Sequence, residues 1–85
     1  MISFFDWVIK FREEENIIGF VGSDVYNDEK FPKDITSVKQ LENYLTSNSQ
    51  HFFYYLKNFC ESFEFYYKEM KETKQLVILE ESVKN

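Results

Sequence analysis

The feature that constrains this chain most is a long stretch without a helix breaker. Residues 50–74 contain neither glycine nor proline, and the whole 85-residue sequence holds only two glycines and one proline. Within the stretch, large apolar side chains recur in steps of four and three, at Phe52, Leu56, Phe59, Phe63, Tyr66 and Met70. This spacing places them on one face of a helix. The pattern predicts a long helix from Gln50 to about Lys74 whose apolar face packs against shorter helices to form the core.

Two shorter helices are predicted in the first third of the chain. The first begins at Ser3, a favourable N-cap, and fades in the acidic run at residues 13–15, which opposes the negative end of a helix dipole. The second runs from Ile17 to Asp28. Gly19 and Gly22 each lower its helix propensity by about 1 kcal/mol relative to alanine, so we expect a neighbouring helix to approach closely there.

A break and a third helix follow. Pro32 disfavours helical geometry at the preceding residue, so the chain turns within residues 30–36. Ser37 and Gln40 have the spacing of a capping box, which predicts a helix from Ser37 through Leu45 and a polar break at residues 46–49. The sequence therefore predicts an all-α fold with four helices.

Two sets of residues are candidates for contact with a partner. Tyr54 and Phe65 point away from the apolar face of the long helix, so either the apolar segment 76–79 or another chain is expected to cover them. The second set surrounds the proline, and its members are Tyr26, Asp28, Phe31, Pro32 and Lys33. We favour a structural corner for this set, in which the phenylalanine enters the core and the aspartate caps or pairs with the lysine. A recognition loop is the alternative.

Composition argues against several functional classes. The formal net charge is −5, and no run of lysine and arginine exists that would neutralise nucleic-acid phosphates or an anionic membrane. The lone histidine, His51, is expected to have a surface or capping role, and the lone cysteine, Cys60, to be a small buried side chain. We therefore expect no enzyme, no metal site and no cofactor. With no cationic and apolar leader and no apolar run near 20 residues, a cytoplasmic location is expected.

Several segments together resemble the YozE SAM-like family. They are Phe4-Phe5-Asp6-Trp7, residues 26–33 with the sequence Tyr-Asn-Asp-Glu-Lys-Phe-Pro-Lys, Asn43-Tyr44-Leu45, and residues 59–66. Phe63 stands where that family usually has tryptophan. The resemblance spans residues 2–70 and implies a compact orthogonal array of four helices, like a sterile alpha motif, found mostly in low-GC Gram-positive bacteria. Residues 1–74 would form this domain, and residues 75–85 a tail that is partly ordered or frayed.

The expected function is that of a protein-interaction or regulatory domain, because sterile-alpha-motif-like folds commonly act through contacts between helices. The partner would be another protein or a second copy of the chain. The alternative is nucleic-acid binding through a local basic edge formed by Lys68, Lys71 and Lys74, which lie three residues apart on the long helix.

Overall fold

The N-terminal half folds into two helices joined by a tight turn. In the computed structural model, which describes residues 2–48 and 56–73, helix α1 spans Phe4–Val8 and continues as a 3-10 turn over Ile9–Phe11. The Ser3 hydroxyl accepts from the backbone N–H of Asp6 at 3.1 Å, as the predicted N-cap requires. Helix α2 spans Ile17–Asn27, and the side chain of its cap, Asn16, accepts from the backbone N–H of Gly19 at 2.8 Å.

Helix α3 spans Val38–Asn48 and begins with the predicted capping box. The Ser37 hydroxyl accepts from the Gln40 backbone N–H at 3.2 Å, and the Gln40 amide oxygen accepts from the Ser37 backbone N–H at 3.1 Å. The predicted break at residues 46–49 is wrong, because the helix continues to Asn48. Thr46 is accommodated inside it by donating its hydroxyl to the Glu42 carbonyl at 2.8 Å.

Helix α4 spans Leu56–Glu72 and packs against all three preceding helices. This agrees with the prediction that its apolar face packs against the shorter helices. Of the predicted apolar face, Phe59, Phe63, Tyr66 and Met70 are buried, whereas Leu56 is only half-buried. Gln50, where this helix is predicted to begin, lies outside the described residues, and so do His51, Phe52 and the tail. Among the described residues there is no strand, so the all-α array of four helices is confirmed.

Two glycines allow α2 to lie against the chain that precedes it. A Cβ atom built on Gly22 would collide with the Val8 carbonyl oxygen and would lie 3.2 Å from the Arg12 backbone nitrogen. A Cβ on Gly19 would collide with the carbonyl group of Glu14. The predicted close approach is therefore confirmed, and the neighbour is the backbone of α1 and the turn after it.

We expect Phe59→Ala to lower the free energy of unfolding by about 3–5 kcal/mol, because it removes a fully buried ring from the centre of α4. Phe20→Ala is the matched control, since that ring is 63 % exposed and its loss should change stability by about 0.5 kcal/mol or less. Urea unfolding followed by circular dichroism measures both. Equal losses of unfolding free energy in the two variants would show that Phe59 does not belong to the core.

We expect Gly22→Ala to destabilise the fold by about 1–3 kcal/mol, although alanine is the better helix former, because the new methyl group would push α2 away from the Val8 carbonyl. Ser47→Ala, at an exposed position of α3, gains helix propensity without any close contact and should be neutral or slightly stabilising. The midpoint temperature of thermal unfolding, compared with that of wild type, measures the effect of each substitution. A higher midpoint for Gly22→Ala would contradict the close approach.

Candidate interaction surface

One row of side chains on α4 points away from the core. Phe65, Lys68, Glu69 and Glu72 follow each other at i, i+3, i+4 and i+7, so they share one face of the helix. The Phe65 ring is 56 % exposed. The outward position of Phe65 is therefore as predicted. Of its two predicted covers, segment 76–79 lies outside the described residues, so the prediction that the ring is covered stays a prediction.

The exposed ring stands beside a groove whose floor comes from the N-terminal half of the chain. Trp7 of α1, Phe11 of the 3-10 turn and Ile18 of α2 line it together with the α4 row, and its volume is about 310 Å³. The Trp7 and Phe11 rings meet edge-on, with centroids 4.9 Å apart. We call this feature the Phe65 groove.

Charged side chains form the rim of the Phe65 groove. The Trp7 indole N–H donates to a carboxylate oxygen of Glu69 at 2.8 Å, which ties the floor to α4. Lys68 and Glu72, one on either side of Glu69 in the row, are exposed. The groove is therefore an apolar hollow bordered by charges of both signs. An apolar group could be buried in the groove, and charged groups next to it could form ion pairs with the rim.

A second groove, of about 300 Å³, lies on another side of α4. Val38, Cys60, Phe63, Glu64 and Tyr67 line it. Burial, followed by the nearby charges of two glutamates, raises the pKa of the Cys60 thiol. The thiol thus stays protonated at neutral pH and is a poor nucleophile. Cys60 is predicted to be buried but is half-buried, because it borders this groove.

The proline corner is built into the core. Phe31 is 2 % exposed, and its ring packs edge-on against Tyr44 with centroids 5.1 Å apart. Asp28 accepts from the Tyr44 hydroxyl at 2.5 Å and from the Lys30 backbone N–H at 3.1 Å. Pro32, which follows Phe31 in the chain, is half-buried. These contacts give Phe31 and Asp28 structural roles. Asp28 caps the turn through the Lys30 backbone N–H, which is one of its two predicted roles, and its side-chain partner is Tyr44.

The two remaining corner candidates, Tyr26 and Lys33, are exposed, and each takes part in a cation–π contact. Tyr26 is 54 % exposed, and the Arg12 guanidinium carbon lies 4.4 Å from its ring centroid. The ammonium nitrogen of Lys33 lies 5.5 Å from the Phe5 ring centroid. Both are cation–π contacts at exposed positions, each contributing about 0.5–1 kcal/mol. The corner and the Phe65 groove are separate features, and the other surface candidate, Tyr54, lies outside the described residues.

Sequence reasoning missed the floor of the groove. No local pattern marks Trp7, Phe11 and Ile18 as parts of one surface site, and only the fold brings them beside Phe65. The rim could have been predicted from the sequence, because its residues recur at i, i+3, i+4 and i+7. They are Phe65, Lys68, Glu69 and Glu72. The missing signal is long-range, since Trp7 and Glu69 are 62 residues apart.

Residues 2–48 and 56–73 form neither a metal cluster nor a membrane-spanning helix. No cluster of three or more histidine, cysteine, aspartate or glutamate side chains there is arranged to hold a metal ion. No helix in the same residues is long and apolar enough to cross a membrane.

Comparison with known proteins identifies a family. A family model described as "YozE SAM-like fold" matches residues 3–68, which includes all four helices up to the middle of the outward row on α4. No curated protein matches the chain, and no solved structure matches it.

We expect Tyr44→Phe to lower the free energy of unfolding by about 1 kcal/mol at neutral pH, because it removes the hydrogen bond to Asp28. Burial, then the hydrogen bond and the charge of Asp28, raise the pKa of Tyr44 from 10.0 to about 12. A raised pKa means that the folded state favours the protonated phenol. The resulting stabilisation is complete below about pH 10 and is lost as the pH rises through about 12.

Urea unfolding of both proteins at pH 7 and between pH 10 and 12 tests this. The stability difference between wild type and Tyr44→Phe should shrink with rising pH, and Tyr66, whose pKa burial also raises, is present in both and cancels. A difference that stays constant across this range would rule out the coupling between Tyr44 and Asp28.

Proposed function

Because the chain belongs to the YozE SAM-like fold family, we propose that it is a non-catalytic domain that acts by binding another protein through the Phe65 groove. The observation that carries the proposal is an aromatic ring, 56 % exposed, directly beside a hollow floored by two further aromatic side chains. Binding energy at protein interfaces is concentrated in buried aromatic anchors of this kind.

The surroundings of Phe65 favour a protein partner. A partner would bury the Phe65 ring and the exposed parts of Phe11 and Ile18, because Trp7 is already buried in the fold. The rim residues Lys68 and Glu72 would lie at the edge of the contact, where charges set orientation. Phe65 belongs to the 17-residue helix α4, whose opposite face is fixed in the core, so the ring is presented by a rigid element. A rigid anchor loses little conformational entropy on binding.

The proposal of a non-catalytic, cytoplasmic domain is supported by the state of its cysteine. Cys60 is held as a protonated thiol by burial and by neighbouring carboxylates, so it is not activated for catalysis. A single free cysteine that borders a surface groove suits a reducing compartment.

Nucleic-acid binding is the weaker alternative. Lys68 and Lys71 are both exposed on α4, while Lys74 lies outside the described residues. Glu69 and Glu72 alternate with these lysines along the helix, so phosphates would meet carboxylates at the same edge. This arrangement gives an edge of mixed charge instead of a basic stripe.

We expect Phe65→Glu to abolish partner binding while leaving the fold intact, because it places a charge where the partner must bury a ring. Tyr67→Glu is the matched control: this ring lies on the same helix, is 48 % exposed and borders the second groove. Immobilised wild type and both variants would be exposed to a bacterial lysate, and retained proteins compared by mass spectrometry, with circular dichroism as the check on folding.

A protein retained by wild type and Tyr67→Glu but lost from folded Phe65→Glu is the expected result. Equal retention by all three would refute the proposed role of the Phe65 groove. Retention of nucleic acid that falls steeply with added salt and with Lys68→Glu would support the alternative instead.

A further inference from the structure

The Phe65 groove opens at the point where α4 ends. Glu72 is the last residue of α4, and its side chain is one of those that line the groove. The apolar segment 76–79, Leu-Val-Ile-Leu, follows after three intervening residues. We infer that this segment occupies the Phe65 groove of its own chain and competes there with the protein partner. The inference rests on the proposed function, because it names what regulates access to that site.

The first argument is reach. Phe65 lies seven residues before Glu72, which is about 10 Å along the axis of an α-helix. Four extended residues cover about 13 Å, so segment 76–79 is long enough to follow the exposed row from one end to the other. Lys74 and Gln75 precede the segment, and two central residues are enough for a turn that reverses the chain.

The second argument is apolar surface. The Phe65 ring is 56 % exposed, and Phe11 and Ile18 in the groove are half-buried. Segment 76–79 consists of four consecutive aliphatic residues. Contact between the segment and the exposed parts of these three side chains removes apolar surface of both from water, which is the favourable term in such an association.

The third argument is the covalent connection, which favours the chain's own segment over a second copy. A segment joined to the groove by a short linker meets it at an effective concentration of about millimolar. A separate chain matches this only when it is itself that concentrated, and its binding also costs translational and rotational freedom. For contacts of equal strength, segment 76–79 therefore occupies the groove in preference to another copy of the chain.

Charge favours the Phe65 groove over the second groove as the site of this contact. Two glutamates, residues 80–81, directly follow the apolar segment. The side chains that line the Phe65 groove include a cation, Lys68, whereas the charged side chain that lines the second groove is Glu64. The carboxylate of Glu42 also acts on Cys60 in the second groove. Residues 80–81 would thus meet only carboxylates among the charges there.

NMR on the whole wild-type chain tests the contact directly. Methyl groups of segment 76–79 should show nuclear Overhauser effects to ring protons of Phe65 and Phe11. A mixture of isotopically labelled and unlabelled chains separates contacts within one chain from contacts between copies, and the effects should arise within one chain. Their absence, or their appearance only between copies, would overturn the inference.

Affinity for the captured protein tests the competition. The serine variant carries Leu76→Ser, Val77→Ser, Ile78→Ser and Leu79→Ser together, and Val83→Ser is the matched control, because it removes an apolar side chain beyond the segment. The probe is the protein retained by wild type but lost from folded Phe65→Glu. The serine variant should bind it about tenfold more tightly than wild type, which corresponds to a groove that segment 76–79 fills about 90 % of the time. Val83→Ser should bind like wild type.

The outcomes separate this inference from the proposed function. Equal affinities of wild type and the serine variant would overturn the competition, while capture that depends on Phe65 would leave the groove as a binding site. Conversely, nuclear Overhauser effects to segment 76–79 in a chain that captures no protein, even as the folded serine variant, would refute the proposed function. They would leave the occupancy of the groove by segment 76–79 standing.

Discussion

The structure depends on the packing of one ring, Phe4, against aromatic side chains from distant parts of the chain. Its centroid lies 5.3 Å from that of Phe63 and 5.6 Å from that of Tyr66, both on α4, and 6.4 Å from that of Phe31 in the proline corner. The Phe4 backbone N–H also donates to the Ile35 carbonyl at 2.9 Å. Large rings supply a small domain with much of the apolar burial it needs. The start of α1 therefore holds the corner and α4 together.

This packing determines the surface as well as the core. Because α4 turns Phe63 and Tyr66 inward, its opposite face must present Phe65 to solvent. Trp7 connects the two sides: its ring packs against Tyr66 with centroids 5.7 Å apart, and its indole N–H donates to Glu69 on the rim. The Phe65 groove is thus supported by the same contacts that stabilise the fold. A change on the outward row alone should alter binding without unfolding the domain.

The helices were predictable where local physics decides them. Phe59 and Tyr66 follow the period of a helix, and Ser37 has a partner for its cap three residues away, so core face and helix start could both be inferred. The end of α3 could not be inferred, because Thr46 is a polar residue that indicates a break, yet its hydroxyl donates to the Glu42 carbonyl within the helix. The burial of Ser62 could likewise not be predicted from the sequence, and its hydroxyl has no hydrogen-bond partner in the described part of the chain. The groove floor required the tertiary structure, since α1, α2 and α4 meet there only after folding.

The chain contains one tryptophan, and it lies in the floor of the Phe65 groove, so its indole N–H resonance reports on whatever covers that floor. The most direct test is to follow this resonance by NMR as a protein captured through the Phe65 groove is added to the wild-type chain. A partner bound over the groove predicts a shift that saturates with added partner, and folded Phe65→Glu should show no shift. A wild-type indole resonance that does not move during this titration would contradict the account.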